Sequence, residues 1–343
     1  MNDKGLLRLM LVLPLMAQPV FADDEAPARP DAARDALSQK ADDASSEKNL
    51  QQVFQSSEKN YSLLKAGSVG MNYSVDYSYY RNSRIDIAIS GSSSSITRFR
   101  IEEDAQHTFS NNIDLSYGVR DNLTFNTSLP LVAKFDTQSD LSATALGDIS
   151  LGVRWQPIPL KRGLPTTTLF STFSTATGDS PYKINTLKDL ATGKGYYSLS
   201  AGASMSKVTD PIVLFASGSF VTGNNIGGLN QARGNRILTG VEPGDSVGFS
   251  MGMAYALNYD VSVTASFQHS YGLSTRFKFF NPSTNKKEEV NTADQVSSSL
   301  NFSLGLRTSP KRIVNLSLGF GLTEDASDVT LGFSMPIDFA GAR

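Results

Sequence analysis

Cysteine is absent from the 343 residues, which excludes a disulfide framework, thiolate zinc sites and a cysteine nucleophile. Histidine occurs only twice, too thin a supply for a His-based metal site without cysteine. Beyond residue 16 no apolar run approaches the roughly 20 residues that a membrane-spanning helix needs, so a helical membrane protein is also excluded. Charge of either sign is scarce in excess: 31 Lys and Arg stand against 33 Asp and Glu, a formal charge of -2. Nothing in that balance points to a nucleic-acid partner. With 14 prolines and 27 glycines beside abundant Ser, Thr and Asn, the composition fits an all-β chain.

The first 22 residues follow the grammar of a secretory signal. Lys4 and Arg8 supply a basic start, Leu9 to Met16 an apolar run, and Val20-Phe21-Ala22 a cleavage site ahead of Asp23-Asp24-Glu25. Removing Asp3, Lys4 and Arg8 takes away a net +1 and leaves about -3 on the mature chain. Residues 23–44 are rich in Ala, Asp, Arg and Pro with almost no large apolar side chain, the composition of a disordered linker. An imperfect repeat follows: Ser45-Ser46-Glu47-Lys48-Asn49-Leu50 returns as Ser56-Ser57-Glu58-Lys59-Asn60-Tyr61. Its spacing predicts an amphipathic helix over 45–66, capped by Ser45 or Ser46, stopped by Gly67, with Leu50, Val53, Phe54, Tyr61 and Leu64 on one face.

After Gly67 the period changes to two. Val69, Met71, Tyr73, Val75, Tyr77 and Tyr79 alternate with small and polar residues, and the pattern continues to the C-terminus. It predicts strands near 69–80, 105–118, 122–135, 147–156, 166–176, 196–207, 212–222, 246–257, 260–271, 294–307, 313–322 and 328–339. The fifth and seventh are open in phase, because Leu169 competes with Phe170 and Val213 with Leu214 for the outward face. Tight turns at Arg120-Asp121, Thr209-Asp210, Asn258-Tyr259 and Ser309 to Arg312, with the longer Pro157 to Pro165, alternate with long connections at 81–104, 136–146, 177–195, 223–245 and 272–293. An even strand count with short and long connections on opposite ends is the signature of an outer-membrane barrel.

A soluble β-sandwich shows the same alternation, but its solvent face usually carries many Lys and Glu residues. Here the non-apolar face reads Asn122-Thr124-Asn126-Ser128, Ser262-Thr264-Ser266-Gln268 and Ser297-Ser299-Asn301-Ser303, which suits a confined wet lumen. Tyr79, Phe135 and Phe267 at the loop side, with Tyr117, Phe125, Trp155 and Tyr255 at the turn side, match two interfacial aromatic girdles. The last strand alternates Val329, Leu331, Phe333, Met335, Ile337 and Phe339, with Ala340 to Arg343 as a short tail. The expected fold is therefore an all-β, 12-stranded antiparallel transmembrane β-barrel over 67–339 in the bacterial outer membrane, preceded by a short helix.

Four segments also carry a resemblance: Leu146-Gly147-Asp148-Ile149-Ser150-Leu151-Gly152-Val153-Arg154-Trp155, Thr177-Gly178-Asp179-Ser180-Pro181, Thr192-Gly193-Lys194-Gly195-Tyr196-Tyr197 and Pro243-Gly244-Asp245-Ser246. This series resembles the outer-membrane barrel family of the functional-amyloid secretion channel FapF and the meta-pathway phenol-degradation transporters. The resemblance implies 12 strands, a helical plug in the lumen and, in the amyloid channel, a trimerising coiled coil. The residues ahead of 45 show no sustained heptads, so a homotrimer stays an open expectation.

The inward phase carries few charges: Asp76, Asp114, Lys134, Arg154 and Arg307. They could line a path for solutes, or Asp114, Arg154 and Arg307 could pair with one another or with the N-terminal helix. Glycines at 70, 118, 152 and 305 leave room in the lumen. A barrel hydrolase would use His269 beside Ser270, but no third group to orient the base is apparent in sequence; both histidines suit a headgroup-level position, and no enzyme activity or cofactor is expected. Expected partners are outer-membrane lipid, the barrel-assembly machinery and a transported solute or polypeptide. The expected function is a plugged outer-membrane transport channel exporting an unfolded polypeptide such as an amyloid subunit. The alternative is uptake of small apolar or aromatic compounds, with a barrel hydrolase or a structural surface protein behind it.

Overall fold

The structure, a computed structural model, describes residues 63–89, 96–137, 139–159, 164–185, 188–209, 211–309 and 312–337; over 82–104 only the backbone is described. The signal, the linker and most of the expected helix lie outside these residues, as do 338–343.

The period-two segments form one antiparallel sheet that closes on itself. In chain order its strands are β1 (Val69–Ile89), β2 (Ile96–Arg120), β3 (Leu123–Asp136), β4 (Leu141–Leu146), β5 (Ser150–Trp155), β6 (Thr166–Ser174), β7 (Ser198–Thr209) and β8 (Ile212–Gly223). After β9 (Ile226–Arg233) and β10 (Arg236–Glu242), the wall resumes with β11 (Ser246–Ala256) and β12 (Val261–Gly272). After β13 (Arg276–Asn281) and β14 (Lys286–Asn291), it ends with β15 (Gln295–Ser309), β16 (Arg312–Gly321) and β17 (Val329–Ile337). Closure comes from β1, which pairs with β17 on one side and β2 on the other. The wall has 13 strand segments, and β4 and β5 share one position beside β3, so 13 − 1 gives a 12-stranded barrel.

Register settles the two open phases. Leu169 and Leu214 face outward, 38% and 53% exposed, while Phe170 and the fully buried Val213 face inward. Inward aromatics need space, and glycines supply it. A Cβ on Gly202 would lie 2.5 Å from Phe170 Cζ, and one on Gly252 2.6 Å from Phe215 Cζ. Outward, Tyr117, Phe125 and Trp155 stand together near the turns, while Tyr77, Tyr79, His107, Phe109 and Phe135 form a ring cluster near the loops. Phe125 and Phe135 sit at the two ends of β3. Ten residues at ~3.4 Å each, inclined by ~40°, separate them by ~26 Å along the barrel axis, close to the ~25 Å apolar band of such barrels. Short turns face the periplasm in this architecture, so the chain enters at Val69 and leaves at Ile337 on that side.

Four expectations change. First, β1 and β2 run on, paired as far as Ile89 and Ile96, through what reads as a polar connection at 81–104. Second, the connections at 223–245 and 272–293 supply β9, β10, β13 and β14, which form a separate four-stranded antiparallel sheet. Leu238 and Val241 are buried on it, and Arg236–Glu288 and Arg276–Glu242 ion pairs at 3.1 and 3.3 Å lie on its more exposed parts.

Third, the wall strand expected to begin at 147 begins at Leu141 and is broken by a bulge. Between the pairs Leu131↔Leu146 and Ser128↔Ser150, β3 takes three steps and its neighbour takes four. One extra residue is a β-bulge, and it lies opposite Pro130, whose carbonyl accepts Gly147 N–H at 2.8 Å. Because of that residue, even-numbered Leu146 and odd-numbered Leu151 both face outward, 42% and 50% exposed.

Fourth, the described end of the expected helix is not helical. Residues 63–65 are irregular and Ala66-Gly67 form a turn. Leu64 N–H donates to Thr124 Oγ1 at 2.9 Å and Ala66 N–H to Asp121 Oδ1 at 3.0 Å. Wall side chains thus take the bonds that a helix would make internally.

Trp155 is the only tryptophan and lies outward in the turn-side girdle, 45% exposed. In reconstituted bilayers its fluorescence should be quenched by lipids brominated near the headgroup and protected from aqueous iodide. Free quenching by iodide would contradict the membrane placement.

Candidate functional site: the loop-side lumen and its knot

The bulge leaves a defect that other parts of the chain repair. β6 accompanies β5 only to the pair Ser150↔Ser174. Above it, the second edge of β4 has no strand partner among the described residues. Backbone groups there need substitutes, since a bare edge at this depth is costly. Thr177 Oγ1 donates to Gly147 O and accepts from Ile149 N, both at 2.9 Å. Thr192 Oγ1 donates to Leu146 O at 3.1 Å and accepts from Asp179 N at 3.0 Å. Thr175 N donates to Ile149 O at 2.8 Å.

Asp148, at the tip of the bulge, gathers the loop around its carboxylate. Gly178 N donates to Oδ1 at 3.0 Å and Lys194 N to Oδ2 at 2.6 Å. The two loop arms then touch so closely that a Cβ on Gly178 would lie 2.7 Å from Gly193 Cα, and one on Gly193 would run into Asp148 Oδ1. Three of the four segments that carry the resemblance are therefore one knot, and their glycines are required by close approach. The fourth ties the root of β11: Gly244 N donates to Thr275 Oγ1 at 3.2 Å.

The knot is held from above by the second sheet. Arg233 Nη2 donates to Pro181 O at 2.8 Å and to Ile184 O at 3.1 Å, and the Tyr182 ring lies 6.1 Å from that of Phe277. Burial, with a smaller contribution from Tyr196, pushes the Tyr182 phenol up to about 12. Burial and then the Asp148 charge push Tyr196 up as well. In the sheet itself, a Lys278 hydrogen bond holds Glu242 below its usual range.

Below the knot lies a lumen cavity of about 560 Å³. Hydroxyls dominate its wall: Ser150, Thr172, Ser174, Ser198 and Ser200 on β5 to β7, then Ser217, Ser219, Ser250 and Ser270 on β8, β11 and β12. Phe170 and Val221 add apolar surface, and Lys194 is the one charged residue among the lining side chains.

The inward charges singled out in sequence are spread over five strands, β1, β2, β3, β5 and β15. Asp76 on β1 accepts from Asn112 Nδ2 at 3.0 Å. Arg154 lies near enough to Asp114 for their charges to interact, and its Nη2 is 3.5 Å from Ser116 Oγ. Arg307, on β15, has its guanidinium carbon 4.8 Å from the centre of the Tyr259 ring. Lys134 is on β3 toward the loops, paired with Thr108 and Ala143 in register. Of the expected plug face only Leu64 is described: a Cβ on Gly70 would lie 3.3 Å from its Cδ1. Leu50, Val53, Phe54 and Tyr61 lie outside the described residues. His269 does not engage Ser270, which lines the cavity; its Nδ1 is 2.9 Å from Ser298 Oγ on β15, and its ring stacks on Phe267. Phe170, Lys194 and Thr175 went unread in sequence as site residues. The ambiguous phase at 169–170 was the only signal for the first.

Closure, an apolar outer belt between aromatic girdles and a hydroxyl-rich lumen define a transmembrane β-barrel of the bacterial outer membrane. No family model matches the chain. Among solved structures it is similar to an outer membrane channel from Pseudomonas putida F1, at 14% identity over 80% of this chain and 97% of that one, with a TM-score of 0.57. That likeness shows the closed-barrel fold. Looser overlays reach the monoaromatic hydrocarbon channel CymD, at 10% identity over 82% and 90% of the two chains with a TM-score of 0.42, and the NanC porin, at 10% over 78% and 100% with 0.40.

Asp148→Ala removes two bonds to a carboxylate, each worth about 1.5–3 kcal/mol, so loop anchoring should fall by about 3 kcal/mol while the barrel still forms. Protease added to intact cells should then cleave within 175–197, whereas the wild type resists; equal resistance would refute the knot. Because the folded Tyr182 pKa lies above the ordinary ~10, its neutral form stabilises the packed loop below pH ~10, and that contribution is lost as pH rises through 12. Absorbance at 295 nm should show a phenol titrating near 12 that disappears in Tyr182→Phe.

Proposed function

We propose that the protein is a passive outer-membrane channel for small apolar or aromatic solutes, with the segment 45–66 as its periplasmic plug. The observation that carries the solute class is the cavity. A volume of about 560 Å³ falls within the ~300–1,000 Å³ of ordinary small-molecule sites. Its hydroxyls offer replaceable hydrogen bonds to a passing solute, and Phe170, spread over Gly202, offers a ring face for an apolar body. Export of an unfolded polypeptide, the other reading that the family resemblance opens, would require lifting loop 175–197 from Asp148 and from the second sheet. The proposed lipid setting follows from the barrel; the assembly machinery and a homotrimer remain proposals that rest on the resemblance.

The plug is supported by the direction of the chain just before β1. Gly67, at φ +76°, turns it, and Leu64 and Lys65 lie against Thr124 and Gly118 on the inward face of β2 and β3. The segment ahead of Leu64 therefore starts from inside the periplasmic mouth.

Two measurements test the reading. In planar bilayers, benzyl alcohol should interrupt the current reversibly, and Phe170→Ala should weaken that block several-fold. Insensitivity to benzyl alcohol, with an unfolded peptide blocking instead, would favour export. Deleting 45–66 should leave the barrel assembled and raise single-channel conductance with fewer closures; unchanged conductance would make the segment a periplasmic docking element.

A further inference from the structure

The charge lining the cavity narrows the solute class further. Lys194 is placed by the knot: its own N–H is bound to Asp148, and the next residue, Gly195, holds φ +80° in a position where a Cβ would strike Ser180 Oγ. Lys194 cannot drift from the rim without undoing that arrangement. Asp148 is its nearest acid along the knot, yet both carboxylate oxygens already accept backbone N–H groups. Among the described residues no ion pair engages the Lys194 ammonium, which leaves it available to the lumen.

Directly below Lys194 runs a row of hydroxyls, Ser150, Ser174 and Ser198, aligned across three strands by register. Phe170 lies four residues farther down β6, about 13 Å along the strand at ~3.3 Å per residue, a separation that the long lysine stem shortens. The order from rim to floor is thus cation, hydrogen-bond donors, aromatic face. Toward the periplasmic turns the balance has the same sign, with Arg154 and Arg307 against Asp114.

We propose that the solute is a small monocarboxylic acid with an apolar body, its carboxylate met by Lys194 and the serine row and its body laid on Phe170. This rests on the small-solute channel reading and adds the charge of the solute. A neutral aromatic would use only the lower half of the seat, and a cation would be repelled at the rim.

The full chain in planar bilayers tests it with three probes at pH 7: a KCl gradient, benzoate, and benzyl alcohol as its neutral counterpart. The expected reversal potential is that of an anion-preferring pore, and benzoate should block at about threefold lower concentration than benzyl alcohol, the scale of one solvent-screened ion pair. Lys194→Gln should bring the two blocking concentrations together, and Lys194→Arg should keep them apart. Equal block in the wild type, or a benzoate preference that survives Lys194→Gln, would overturn the carboxylate assignment while the channel reading stood. A conducting pore that neither compound touches would remove both.

Discussion

In hydrocarbon a backbone N–H or carbonyl has no water to turn to, and a membrane barrel must satisfy each one within its own wall. Around most of the wall, strand pairing does this. At one position the bulge opposite Pro130 breaks the ladder, and the missing partners are threonine hydroxyls from a loop nearly thirty residues away. The rest of the site follows from that repair. A loop that must reach the wall carries Lys194 to the lumen rim, and the same loop gives the second sheet a surface on which to rest.

The apolar rule also explains how the lumen acquires character. Outward positions are constrained by lipid, so chemical variety is confined to the inward phase. There serine is the usual choice, and two large rings sit where a neighbouring glycine clears a place: Phe170 over Gly202 and Phe215 over Gly252. Val213, Phe215 and Ala254 pack together inside the wall, an apolar interior patch within an otherwise hydroxylic surface.

Much of this was legible in sequence, because a wall with one lipid face and one wet face enforces period two on every strand. The girdles at Tyr117, Phe125 and Trp155 were visible for the same reason. The losses have physical causes. β4 was hidden because an extra residue reverses its phase relative to β5. The second sheet was hidden because Lys286–Asn291 is polar but for Val290 and its neighbours are short, so no alternation marks them. The knot was half legible: its Thr-Gly and Gly-Asp pairs stood out, but their convergence depends on loop geometry. Which of the candidate lumen charges are neighbours depends on the order of strands around the barrel, and period two carries no record of that order.

The bulge also divides the barrel wall into two regimes of heredity. Below it, on β5, odd-numbered positions answer to lipid; above it, on β4, even-numbered positions do. A single-residue deletion within Gly147–Ile149 would splice the two halves into one straight strand and turn β4 inside out, presenting Leu141, Ala143 and Ala145 to lipid and Ser142, Thr144 and Leu146 to the lumen. Length at that point therefore constrains the wall more tightly than residue identity does. Insertions and deletions can accumulate in the surface loops of this protein far more freely than at three residues in the middle of its wall.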